Sequence, residues 1–298
     1  MRTFEELVAE ADAAPFAGWD FRFLDGRYLE GRFSWDYRKM LAQMLANARS
    51  YLDLGTGGGE LVSSLGPLPA RSVVTEGFAP NVRVARRELG PLGVDVVVSF
   101  CDDNSAKGEQ RGSLPFQEGA FDVVSDRHEA FVASEVAAAL RPGGTFITQQ
   151  VGPDNDVELA RLVGEGDGQG EKWDLDEAVR QVRGAGLRVI ESGEETVRSR
   201  FLDVGALAYY LKAAGPLSFK EMDRGALEGS LRKADSEIRA EGAFQVSTSR
   251  FYLVAVKARE HPPIGQVKPS PSRSRKKRTE RGPGGIRTHG MLVKSQPI

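Results

Sequence analysis

The sequence predicts an α/β domain built on a doubly wound, mainly parallel sheet of seven strands, and three observations carry that expectation. First, Tyr51-Leu52-Asp53-Leu54 is a short apolar run that breaks, after an acidic residue, into Gly55-Thr56-Gly57-Gly58-Gly59. That is the pattern of a buried strand ending in a glycine turn that a ligand can approach closely. Second, Arg71-Ser72-Val73-Val74-Thr75-Glu76 reads as a second strand ending in a carboxylate, about 20 residues past the glycines, where folds of this kind place an acid on ribose hydroxyls. Third, apolar strands and helical segments alternate from Tyr51 to Val151, which selects a parallel sheet covered on both faces. A glycine-rich turn alone is also what a plain bend carries, so the weight rests on the continuation.

Taken in order, residues 3–14 form an amphipathic helix with Phe4, Leu7, Val8 and Ala11 on one stripe. Residues 15–33 interleave Trp19, Phe21, Phe23 and Tyr28 with Arg22, Arg27 and Arg32. Packing over the sheet edge accounts for such a composition, and a lid over the ligand cleft is the functional alternative. A helix is expected from Ser34 to Ala48, burying Tyr37, Met40, Leu41, Met44 and Leu45. Glu60 to Leu65 begins the first crossover helix, which Pro67 and Pro69 end; Pro80 to Leu89 is the second, stopped by Gly90-Pro91.

Val94 to Phe100 is the third strand, and residues 104–113 show little periodicity where a third crossover helix would stand. Phe121 to Ser125 is the fourth strand, followed by Asp126-Arg127-His128-Glu129 and a helix from Glu129 to Leu140. Gly143-Gly144 turns the chain into the fifth strand, which ends near Val151. Beyond it come helices at 157–163 and 173–184, a strand at 187–192, helices at 201–214 and 219–240, and a final strand at 244–256. The expected domain plan is a helical extension or lid at 1–48 and a main domain at 49–260. The latter carries a substrate-covering insertion at 200–245 before its last strand, and a disordered basic tail follows at 261–298.

Composition narrows the classes. Apolar residues at 40% and charged residues at 28% are ordinary for a globular chain. No apolar run reaches the ~18 residues of a membrane span, and the acidic N-terminus lacks a signal-peptide core, so a cytoplasmic protein without a membrane partner is expected. The single cysteine, Cys101, excludes an internal disulfide and a cysteine-cluster metal site, and no metal site is expected; packing at a strand end suits it. Nine Lys/Arg and one acid lie from Pro262 onward, which leaves 31 basic against 41 acidic residues in 1–261. An acidic body weighs against a nucleic-acid polymer as substrate.

Two further motifs follow the first two in order: Leu114-Pro115-Phe116-Gln117-Glu118-Gly119-Ala120-Phe121-Asp122-Val123-Val124 and Leu140-Arg141-Pro142-Gly143-Gly144-Thr145-Phe146-Ile147-Thr148. With them, residues 49–151 resemble the class I S-adenosylmethionine-dependent methyltransferases, of the type 11 methyltransferase-domain kind. The resemblance implies a Rossmann-like methyltransferase fold and S-adenosyl-L-methionine as cofactor. It implies that Gly55, Thr56, Gly57 and Gly59 shape the turn against the methionine part, with Asp53 ordering that turn and facing the amino group. Glu76 would take the ribose hydroxyls, and Asp102 or Asp103 the adenine amino group, flanked by Phe78 or Phe100; a strand-end turn is the structural alternative for Asp102.

Methyl transfer from a sulfonium is chiefly alignment in a dehydrated site, with a base needed only for an acceptor that keeps its proton. His128 is the one histidine placed to be that base, unless it and Asp126 simply open a helix. Arg127 would bind an acidic acceptor or pair with Glu129 or Glu135, and Trp19 and Tyr209 are the other candidate substrate contacts. Ser125-Asp126-Arg127-His128 stands where amino-directed nucleic-acid methyltransferases carry Asn/Asp-Pro-Pro-aromatic, and no cysteine is there for carbon-5 pyrimidine chemistry.

The leading expectation is therefore methyl transfer to oxygen or nitrogen of a small-molecule acceptor. Two alternatives remain, an RNA-base methyltransferase using Arg22, Arg27, Arg32 and Arg127 as a basic groove, and a non-catalytic cofactor-binding or scaffold protein. For the tail, nucleic-acid binding and plain disorder compete with a third reading. Gly285-Ile286-Arg287-Thr288-His289 can be encoded by codons whose complement contains GGTTCGAATCC, a transfer-RNA T-arm pattern, which makes the tail read-through sequence without function.

Overall fold

The computed structural model describes residues 2–16, 20–99, 102–104, 109–111, 113–164, 173–214 and 223–259, with 102–104 and 109–111 described by backbone alone. Residues 1–260 form one compact unit.

Ten strands are described. They are β1 (Tyr28–Leu29), β2 (Ser50–Leu54), β3 (Arg71–Glu76), β4 (Asp95–Val98), β5 (Asp102–Asn104), β6 (Glu109–Arg111), β7 (Phe121–Arg127), β8 (Leu140–Val151), β9 (Leu187–Phe201) and β10 (Phe244–Lys257). Eight of them make one sheet in the order β1-β9-β10-β8-β7-β2-β3-β4, while β5 and β6 pair as a separate antiparallel hairpin. The seven long strands are the expected sheet; the eighth, β1, is a two-residue addition on the edge of β9. Pairing is parallel from β4 through β3, β2 and β7 to β8, and β10 enters antiparallel between β8 and β9. The chain builds outward from β2 through β3 to β4, then returns to β7 on the other side of β2. A crevice opens beyond the carboxyl ends of the strands at that reversal.

The helices are α1 (Phe4–Ala13), α2 (Tyr37–Leu45), α3 (Glu60–Ser63), α4 (Ala79–Leu89), α5 (Ala133–Ala139), α6 (Val157–Leu162), α7 (Leu175–Gly184), α8 (Val204–Ala214) and α9 (Arg224–Glu241). Alternation along β2 and β7 divides the core. Tyr51, Val123 and Ile147 face α2 and α4, while Leu52, Val124 and Phe146 face α5 and α7. All five residues of β2 are buried, as suits a central parallel strand. A third cluster joins α1, α8 and α9 to Phe201, Phe244 and Val246 at the β9–β10 end of the sheet.

Several boundaries differ from expectation. Helix α2 starts three residues after Ser34, because the Asp36 carboxylate rather than the serine accepts from Lys39 N at 3.0 Å. Helix α5 starts at Ala133, not Glu129, so Asp126 and His128 do not open a helix. Strand β9 runs nine residues past Ser192, since its polar sequence is held by the β10 ladder. Cys101 and residues 261–298 lie outside the described residues.

Candidate functional site

A cleft of about 400 Å³ opens at the reversal point, lined by the ends of β2, β3 and β7 and the segments that follow them. Strand β2 delivers Asp53 and then the glycine turn. Gly59 has φ +91° and a Cβ there would stand 2.7 Å from Leu89 of α4, so the turn and α4 can approach only through glycine. A Cβ on Gly55, at φ +59°, would collide with the Glu129 side chain, which packs directly over the turn.

The backbone donors of the turn are largely committed to β3. Gly55 N donates to Thr75 Oγ1 at 3.3 Å, Thr56 N to Thr75 O at 2.9 Å and Gly57 N to Glu76 Oε2 at 2.8 Å. Gly59 N turns inward to Thr56 O at 3.1 Å. The second oxygen of Glu76 accepts from Phe78 N at 2.7 Å. This buried carboxylate is therefore fixed by two backbone donors, one on each oxygen, and each oxygen keeps a lone pair for a ligand hydroxyl. Thr56 Oγ1 is buried without a hydrogen-bond partner.

Asp53 is 3% exposed and accepts from Ser125 Oγ at 2.5 Å and from Tyr51 OH at 3.4 Å. Burial lifts its carboxyl to about 6, against the pull of the Ser125 hydroxyl. Glu60, in the first turn of α3, and Glu129 add two further acids to the lining, and Phe78 stands 59% exposed beside Asn81 and Ser99.

Strand β7 brings the other end of the cleft. Asp126 faces away from it, buried, taking Thr148 Oγ1 at 3.1 Å and Gln150 Nε2 at 2.5 Å on one oxygen while the other has no partner. Burial raises its carboxyl well above the usual range. Arg127 lines the cleft, and its guanidinium pairs with neither Glu129 nor Glu135; the latter carboxylate accepts from Leu114 N at 2.8 Å. His128 also lines it, with a left-handed backbone at φ 63° and its N–H given to Gln149 O at 2.9 Å. Burial first, then the charges of Arg127 and Arg250, push its imidazole well below the ordinary histidine value. Behind it, Gln149 Nε2 lies 3.3 Å from His128 Nε2, and Trp35 Nε1 donates to Gln149 Oε1 at 2.9 Å.

Asp53, Gly55, Thr56, Gly57, Glu76, Arg127 and His128 thus converge on one cleft, with Gly59 shaping its turn from beneath. Tyr209 does not reach it. The residue is 1% exposed, its hydroxyl donates to Pro15 O and Asp20 O, and its ring stacks on Phe23 at 4.4 Å. It packs in the cover, against Phe16 and Phe23. The proposed basic groove is likewise dispersed: Arg22 pairs with Asp20, and Arg27 with Asp203 and Glu10. Trp19, Phe100 and the side chains of Asp102 and Asp103 lie outside the described residues.

Glu60 in the lining, and Trp35 and Gln149 behind His128, are residues for which the sequence supplied no role, and Glu129 was named only as a partner for Arg127 and a helix start. Glu129 adjoined a recognised strand end and could have been flagged there, whereas nothing local marks Trp35 or Gln149. Among the described residues, no group of three or more His, Cys, Asp or Glu side chains is set to hold a metal ion, and no helix is long and apolar enough to cross a membrane.

No protein-family model matches the sequence, and no curated protein matches it. Solved structures do resemble the fold. A candidate methyltransferase from Bacillus halodurans C-125 is similar at a TM-score of 0.51 and 16% identity, over 74% of this chain and 98% of that one. The YcgJ protein of Bacillus subtilis is similar at 0.50 and 15% identity, over 75% and 99%. A SAM-dependent methyltransferase from Aquifex aeolicus is more distant, at 0.41 and 14%, over 74% and 89%. Strand order, the single antiparallel long strand and the first two of these likenesses together define the class: the chain has the class I methyltransferase fold.

Proposed function

We propose that this chain transfers a methyl group from S-adenosyl-L-methionine to an oxygen or nitrogen of a small-molecule acceptor. The observation that carries the reading is the charge of the cleft. Asp53, Glu60, Glu76 and Glu129 line it, and Arg127 is the one cation among the described lining residues. Such a lining favours a ligand that carries a sulfonium and an ammonium. It disfavours a dinucleotide, whose pyrophosphate needs free backbone donors at a helix N-terminus. Here those of Gly55, Thr56, Gly57 and Gly59 are already bonded, and α3 opens on Glu60.

The residues fit the cofactor. Glu76, preset by Gly57 N and Phe78 N, would accept both ribose hydroxyls, and exposed Phe78 would flank the adenine. Glu129 and Asp53 would face the amino group of the methionine part, and the partnerless Thr56 hydroxyl would gain a bond there. When bound, the cofactor supplies an activated methyl group. The protein's part is then to hold the acceptor in line near Arg127 and His128 and to exclude water.

The test is formation of S-adenosylhomocysteine by the full chain with separate panels of small phenols, amines and carboxylic acids and with bulk transfer RNA. Turnover with a small molecule is expected. Turnover with RNA alone would overturn the acceptor class, and none with any panel while the cofactor binds would favour the scaffold reading.

A further inference from the structure

The tautomer of His128 follows from its neighbours. An indole N–H donates and cannot accept. Trp35 Nε1 therefore requires the oxygen of Gln149 at its 2.9 Å contact, and this places the Gln149 amide nitrogen, a donor only, against His128 Nε2 at 3.3 Å. His128 Nε2 must then present its lone pair, since a proton there would confront the amide N–H. A neutral imidazole carries its one proton on the other nitrogen. Burial and the charges of Arg127 and Arg250 favour that neutral form as well. Nδ1–H is thus a fixed donor with no partner among the described residues, and the ring's lone pair is already in use. Beside it, Arg127 is exposed in the cleft, and its guanidinium has no hydrogen bond or ion pair among the described residues.

We propose that the acceptor carries a carboxylate, which Arg127 binds through its charge and His128 through its Nδ1–H, with Trp35 and Gln149 as positioning residues that hold His128 in the donor tautomer. The inference rests on the methyl-transfer reading for calling the ligand an acceptor, but the contacts do not depend on the cofactor. A monoanion suits the site better than a phosphate. Among the described lining residues, one guanidinium and one neutral donor stand here in a cleft that buried Asp53 and Glu76 also line, and repulsion from those carboxylates grows with each added negative charge. His128 is accordingly a donor to the acceptor rather than the base expected from its position.

The test uses the 15N-labelled full chain without cofactor, followed by two-bond nitrogen–proton correlations of the imidazole rings, with the His128 signals identified by their loss in His128→Asn. The expected pattern at neutral pH is protonated Nδ1 and bare Nε2, which Trp35→Phe converts to a mixture of tautomers. Sodium benzoate should then shift the His128 Nδ1–H saturably, while neutral benzamide should not. Arg127→Met should weaken benzoate about tenfold or more, as expected for losing a charge-assisted bond.

Asparagine tolerates the left-handed backbone at position 128, and its amide N–H takes the place of Nδ1–H. Benzoate affinity should therefore survive in His128→Asn to within about threefold but fall about tenfold in His128→Ala. A bare Nδ1 in the unmodified protein, a tautomer indifferent to Trp35→Phe, or benzoate binding that is absent or unaffected by Arg127→Met would each overturn the proposal. S-adenosylmethionine titrated separately reports on the methyl-transfer reading alone.

Discussion

The two ends of the cleft are built in opposite ways. The end beneath the glycine turn is acidic and local: Asp53, the turn and Glu76 come from adjacent parallel strands, and Gly57 and Glu76 are 19 residues apart. The other end is cationic and long-range. Arg127 ends β7 and His128 follows it, but the ring's partner is Gln149 on β8, which in turn accepts from Trp35, 114 residues earlier in the chain. The first end recurs wherever the strand–turn–strand unit binds a nucleoside, because its geometry is fixed by one crossover. The second is assembled from segments that only the completed sheet brings together, which is where one fold can be adapted to different acceptors.

The sharpest way to break the comparison is Glu76→Ala. It removes the hydroxyl acceptor and strands the N–H groups of Gly57 and Phe78. Cofactor affinity should fall at least about 100-fold, while benzoate binding at the Arg127 end stays within about twofold, both read by calorimetry. Loss at both ends would mean one coupled site.

Next in size is the backbone of the turn. Gly59→Ala combines φ +91° with a clash against Leu89 and should cost about 2–3 kcal/mol in urea unfolding. Gly66, at φ +89° with nothing within 4 Å, separates the two contributions: Gly66→Ala should cost only about 1 kcal/mol. Equal costs would show that α4 gives way and that the close packing of the turn is not needed.

Asp53 sharpens the contrast through pH. The folded chain holds the Asp53 proton up to about 6, whereas an ordinary, solvated aspartate loses it at 3.8. The unfolded state binds fewer protons in that window, so this residue's contribution to stability falls as pH rises from 4 to 6 and is level above it. At about 1.4 kcal/mol per pH unit the loss is at most about 3 kcal/mol. Asp53→Asn should remove that slope from the melting temperature, raise stability at pH 7 and weaken the cofactor. An unchanged slope would assign the pH dependence to Asp126 or another group.

The smallest effect is expected from deleting residues 261–298, since 1–260 is a compact unit. Melting temperature and cofactor affinity should stay within error, and a drop in either would give the tail a role.

The same contrast explains what could be read from the sequence. The apolar run, the glycines and Glu76 are contiguous or one crossover apart, so the strand–turn–strand geometry at this end of the cleft was legible from the sequence. Helix α5 was placed too early because nothing in Asp126-Arg127-His128-Glu129 announces a left-handed residue at His128. Strand β9 was cut short because Gly193–Arg200 is polar; its position on β10, rather than a buried apolar face, keeps it extended. Tyr209 was a candidate substrate contact from its residue type, and the fold packs it in the cover, with its hydroxyl on two carbonyls. Trp35 and Gln149 carried no signal at all, since their meaning depends on a hydrogen bond across three elements.

The central claim is that the acidic cleft holds S-adenosyl-L-methionine. Calorimetric titration of the full chain with S-adenosyl-L-methionine and with S-adenosylhomocysteine, each repeated on Glu76→Ala, tests it most directly. The account predicts saturable binding of both by the unmodified protein and loss of both in the variant. Heat from neither ligand, or binding that Glu76→Ala leaves unchanged, would contradict it.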